Sequence, residues 1–172
     1  MTVQLTHLPH SFHSKFFSLA IHPCRPHVTL VMRLNVGIVS TDELPETFPL
    51  LKTLLPRVFE TQCFNYDRLP FIVEAKHTEI GHLFEHILLT YLCQLQQARG
   101  VYSAVYRGET CWNWTSDTRG TFHITIYVPI KEQAVFNKAL KKSVTLLHLI
   151  LEQSLKVISG KGFFLTQVED YL

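Results

Sequence analysis

The chain has 172 residues, 47% of them hydrophobic and 17% charged, with a formal charge of +2. Such a composition excludes a disordered chain and supplies one sizeable core. The weak, scattered positive charge argues against nucleic acid as a partner; Lys138, Lys141 and Lys142 read as the solvated side of a helix.

No apolar stretch reaches about 18 uncharged residues, so no membrane span is expected. The nearest, "VTLLHLILEQSLKVI", is interrupted by His148, Glu152 and Lys156. The four cysteines, Cys24, Cys63, Cys93 and Cys111, form no C-x-x-C pair, and no secretory leader pattern precedes them. They read as reduced thiols of a cytoplasmic protein, not as a zinc-thiolate site.

Of the ten histidines, five (His7, His10, His13, His22 and His27) fall in the first 27 residues, among three prolines. Such a segment can bind metal adventitiously, but a loosely held arm or an edge strand is the plainer expectation. From Val28 the chain alternates: Val28, Leu30, Met32, Leu34, Val36 and Ile38 share one face, a half-buried strand. "STDELPETF" offers helix-start chemistry, and Pro56 should stop or kink the helix through "LLKTLL". "FIVEA", 71–75, reads as a short strand. A helix capped by Thr78 should then run to about Arg99-Gly100.

"VYSAVYRG" and "TFHITIYV" read as the strands of a hairpin, joined by the polar and aromatic loop "ETCWNWTSDTRG". Trp112 and Trp114 in that loop serve most simply as anchors over the core. A helix over about 131–156 follows, and the tail "GKGFFLTQVEDYL" offers a last strand or docking segment. The expected architecture is α+β: a mainly antiparallel sheet with helices packed on one face, as a single domain over 1–172. Within it, 1–27 form the arm or edge strand, 28–158 the core and 159–172 the tail.

The helix after Thr78 holds the chemistry. With His82 at zero, 100° per residue puts Glu85 at about 300° and His86 at about 40°, one arc on an otherwise apolar cylinder. Glu79, at about 60°, joins them. A helix apolar almost all round is buried, so these groups point into the protein or a cleft and need partners. A divalent cation is one solution. H-x-x-E-H puts two imidazoles one turn apart, where both can hold zinc while the glutamate between them handles a proton from water. A buried hydrogen-bond cluster is the plainer alternative. The third metal ligand must come from elsewhere; Glu132 is the first candidate, Glu152 the second and Glu79 the third.

"GHLFEHILL" resembles the zinc helix of the pitrilysin and insulysin peptidases. More extensively, "VMRLNV", "LLPRVFE", "GHLFEHILLTYLCQLQ", "YRGET" and "HITIYVPIKEQAVFNKAL" resemble, in order, the N-terminal domain of cyanophycin synthetase over roughly 28–142. That resemblance implies a cytoplasmic domain that holds an Asp/Arg polymer and, in some members, cuts it through a metallopeptidase-like site to make primers. It implies His82, His86 and Glu132 as metal ligands, Glu85 as general base and Arg107 as a contact for substrate carboxylate. Zn2+ is the implied cofactor. The implied partners are a cyanophycin-like chain and either a full-length synthetase or a second copy. The ATP-dependent ligase domains are not expected here, since the chain ends at Leu172 and holds no phosphate-loop motif. The rival expectation is a polymer-binding or scaffolding module that does not cut.

Overall fold

The computed structural model describes residues 10–24, 26–64 and 68–160. Five antiparallel strands form one sheet: β1 (Ser11–His13), β2 (Phe17–Cys24), β3 (His27–Leu34), β4 (Arg107–Cys111) and β5 (Thr121–Tyr127). Their order across the sheet is β1-β2-β3-β5-β4, so β1 and β4 are the edges. The alternation from Val28 sets the register: Leu30 pairs with Ile21 and Ile124, and Met32 with Leu19 and Phe122. All of these are buried, whereas His22, Arg33 and Tyr127, on the other face, are exposed. A period of two therefore makes one core face and one solvated face, the expected α+β plan.

The core face is covered by helices. After a 3-10 turn (Thr41–Glu43), α1 (Thr47–Leu54) ends just before Pro56, which opens a second 3-10 turn, Pro56–Glu60. Proline both stops the first helix and starts the second, since its φ suits N1 and it has no N–H to leave unpaired. Then come α2 (Phe71–Glu74), α3 (Ile80–Gln97) and α4 (Gln133–Ile158). Helix α3 lies against β4 and β5, with α4 packed along it. The β1–β2 turn is tied to α4 by Ser14 on His148 (3.0 Å) and Lys15 on Glu152 (2.8 Å).

Several expectations are corrected. "FIVEA" is one helical turn, not a strand: Phe71 and Ala75, four apart, are buried together while Ile72 and Val73 face solvent. The β-branched pair suggested a strand, but burial follows helical spacing. Of the two readings of the histidine- and proline-rich segment, the edge strand fits its described part and the loose arm does not: β1 is an edge of the sheet and β2 is paired on both sides. Helix α3 has Glu79 at its N-cap rather than Thr78, and Thr78 turns its hydroxyl to His82. Trp112 and Trp114 pack on Phe122 as anchors, and Trp114 Nε1 donates to the Thr121 carbonyl (3.1 Å). Residues 161–172, most of the tail, lie outside the described residues.

Candidate metal centre

Helix α3 approaches the sheet closely because Gly81 faces Phe122. A Cβ there would stand 2.4 Å from the Phe122 ring. This seats α3 with Glu85 over β4 and with His82 and His86 turned toward Thr61, Cys63 and Phe71.

Both imidazoles aim Nε2 at one point. The two Nε2 atoms are 3.2 Å apart, and the Cys63 sulfur lies 3.4 Å from that of His86 and 3.8 Å from that of His82. At bond lengths of about 2.0–2.1 Å to nitrogen and 2.3 Å to sulfur, a tetrahedral zinc needs about 3.3 Å between nitrogens and about 3.6 Å from nitrogen to sulfur. The donor set fits the ion. Cys63, His82 and His86 form a group that could hold a metal ion.

The rings are fixed from behind. His86 Nδ1 is 2.9 Å from Thr61 Oγ1, and His82 Nδ1 is 2.7 Å from Thr78 Oγ1. Phe71 stacks on the His86 ring, with centroids 3.8 Å apart, and meets His82 edge-on. Ligands held this way by an outer layer keep their orientation before any ion arrives.

Burial sets the protonation states. It pushes His86 down to about 3, with His82 beside it acting in the same direction. It also lowers His82, against the opposing pull of Glu74. Both rings are therefore neutral near pH 7, as metal ligands must be. Burial, then Glu74 and Glu85, push the Cys63 thiol up to about 12, so a cation must displace its proton to bind.

Glu85, the residue before His86 on α3, is buried, and its charge acts on Cys63. Thr110, on β4, donates to its Oε2 at 2.5 Å. Gly108 leaves the room it fills, since a Cβ there would be 2.7 Å from Oε1. Burial raises Glu85 to about 7; the Thr110 hydrogen bond works against this and the Glu109 charge with it.

The remaining sequence candidates lie elsewhere. Glu132 accepts from the Tyr106 hydroxyl at 2.5 Å, and that hydroxyl also hydrogen-bonds Gln96. Gln96 is fourteen residues beyond His82 on α3, roughly 21 Å along the axis, so Glu132 lies toward the opposite end of that helix from the imidazoles. Cys63, not Glu132, joins His82 and His86 in the group that could hold a metal ion. Glu152 is ion-paired with Lys15 and Lys156, and Glu79 is no part of the cluster. Arg107 pairs with Glu109 and lies over Tyr127 on the solvated face, opposite the side of β4 that carries Gly108 and Thr110. It does not face Glu85.

No protein-family model matches the chain, and no curated protein matches it. Among the described residues, no helix is long and apolar enough to cross a membrane.

Proposed function

We propose that this protein is a metal-dependent hydrolase of amide bonds, acting on cyanophycin or a related Asp/Arg polymer. One observation carries the reading. Two neutral imidazoles and a buried thiol converge at tetrahedral spacing, and the same helix carries a buried carboxyl group that burial raises to about 7 and whose charge acts on the thiol. A hydrogen-bond cluster has no need of that carboxyl group, whereas hydrolysis does.

Zinc suits the donors, because thiolate and imidazole favour it over magnesium or calcium. Bound there, it supplies a Lewis acid for the scissile carbonyl and acidifies the water beside it. The proton work belongs to Glu85. A carboxyl group raised to about 7 takes a proton from water near neutral pH and returns it to the leaving amine. Thr110 holds one of its oxygens in place meanwhile.

The substrate class rests on the resemblance of residues 28–142 to the synthetase domain. The same resemblance supports a cytoplasmic reaction, with a synthetase or a second copy as partner. The test is metal analysis of the purified protein, with polymer incubation before and after chelation. Near-stoichiometric zinc and chelator-sensitive chain shortening support hydrolysis. Polymer binding with neither metal nor cleavage would support a scaffold instead. Glu85→Gln should keep zinc and lose turnover; full activity in that variant removes Glu85 from the reaction.

A further inference from the structure

The two hydrogen bonds behind the imidazoles are not equivalent. Thr61 has one hydroxyl proton, and the Val58 carbonyl takes it at 2.6 Å. The Thr61 oxygen can therefore only accept from His86 Nδ1, 2.9 Å away. A neutral imidazole carries one N–H, so His86 must hold it on Nδ1 and present a bare Nε2 to Cys63 and His82. Thr78 is different: no carbonyl among the described residues takes its hydroxyl proton. Its hydroxyl can donate to His82 Nδ1 or accept from it, and so follows whichever tautomer His82 adopts.

We propose that Thr61 is a positioning residue that locks His86 in the metal-binding tautomer, while Thr78 leaves His82 free to switch. Without an ion, His82 can offer an Nε2–H to the bare Nε2 of His86, 3.2 Å away. With an ion, His82 moves its proton to Nδ1 and Thr78 turns to accept it. Only one of the two rings then has to rearrange. This inference rests on the metal reading above.

The test uses the full chain and zinc itself. In the metal-free protein, long-range 1H–15N spectra of the histidine side chains should show His86 as the Nδ1–H tautomer. Thr61→Val should shift it toward Nε2–H, because the ring can then pair with His82 the other way round. Zinc affinity, read by competition with a chromophoric chelator, should fall about 10–100-fold in Thr61→Val and recover in Thr61→Ser. Thr78→Val should lose less than Thr61→Val, since it removes one His82 partner from both states. An Nε2–H tautomer for His86 in the wild type overturns the proposal. So does a Thr61→Val protein that binds zinc as the wild type does, or a loss in Thr78→Val as large as in Thr61→Val. A wild type that binds no zinc sinks the metal reading instead, and the spectra still decide the tautomer. Urea midpoints identify a variant that has merely lost its fold.

Discussion

Cys63 gives the metal reading a countable signature, the number of protons released on binding. Near neutral pH, burial keeps both imidazoles unprotonated, so they have nothing to give up. The Cys63 thiol, pushed up to about 12, is fully protonated and must lose its proton to become a ligand. Glu85, at about 7, confuses the count near neutrality because an adjacent cation favours its ionised form. From about pH 7.5 to 9 it is mostly ionised already, which leaves Cys63 as the main source. Apparent zinc affinity should therefore rise about tenfold per pH unit over that range, or about 1.4 kcal/mol.

Competition titrations at three pH values measure the slope. Calorimetry in two buffers of different ionisation enthalpy counts the proton directly. Cys63→Ser removes both the ligand and the proton. If about 10–16 kcal/mol of structural zinc binding is shared over four donors, losing one costs about 3 kcal/mol, or more than 100-fold. The slope should flatten with it. A flat slope in the wild type, or unchanged affinity in Cys63→Ser, refutes the reasoning and removes Cys63 from the ligands.

Three further outcomes can be checked on the same protein. Gly108→Ala puts a Cβ 2.7–2.9 Å from three Glu85 atoms. It should cost about 1–3 kcal/mol in urea unfolding and abolish turnover while sparing zinc affinity; unchanged stability contradicts the packing described. Phe71→Ala removes a fully buried ring that stacks on His86, and should cost about 3–5 kcal/mol and weaken zinc binding as well. A loss under about 1 kcal/mol counts against that role. In metal-free protein, the His86 ring resists protonation down to about 3 while the unfolded ring accepts a proton below about 6.5, so its contribution to stability is lost as pH falls through that window. Glu85 acts oppositely: its carboxyl group keeps a proton up to about 7 when folded but only to about 4.5 when unfolded, so it stabilises at low pH. The two cancel between about 4.5 and 6.5. Glu85→Gln should therefore begin losing stability near pH 6.5, earlier than the wild type, and identical urea profiles refute the pairing.

Much of the fold was legible because burial on one face imposes a period. Alternation from Val28 and again over 121–128 marked β3 and β5, and helical spacing marked α3 and α4. Where the chain makes single turns, no period can build up. Phe71–Glu74 was misread for that reason, its exposed Ile72 and Val73 imitating a strand. The site divides in the same way. His82, Glu85 and His86 share one helix, so their spacing alone brings them together. Cys63 sits in "ETQCFNYD", with no periodic context, and reaches the imidazoles only through the packing of α2 on the turn that precedes it. Its proximity to Thr61 was no signal either, since the acceptor role of Thr61 depends on the Val58 carbonyl of the 3-10 turn.

Arg107 and Glu132 lie away from the imidazoles and Glu85 for a different reason: a place in the sequence does not give the direction of a side chain. On a strand, one residue's displacement reverses the face, and Arg107 points away because Gly108 and Thr110 point in. That same alternation explains how the site is assembled. One wall, the edge strand β4, holds the carboxyl group through Gly108 and Thr110. Another, made by Thr61, Cys63 and Phe71, holds the His86 imidazole and carries the thiol. Among the described residues, helix α3 is the element common to both, and Gly81 is what lets it come close enough to the sheet for the first wall to reach Glu85. Damage on the β4 side should therefore fall on proton transfer, and damage on the Thr61 side on metal affinity. A mere structural cluster gives no reason for that separation.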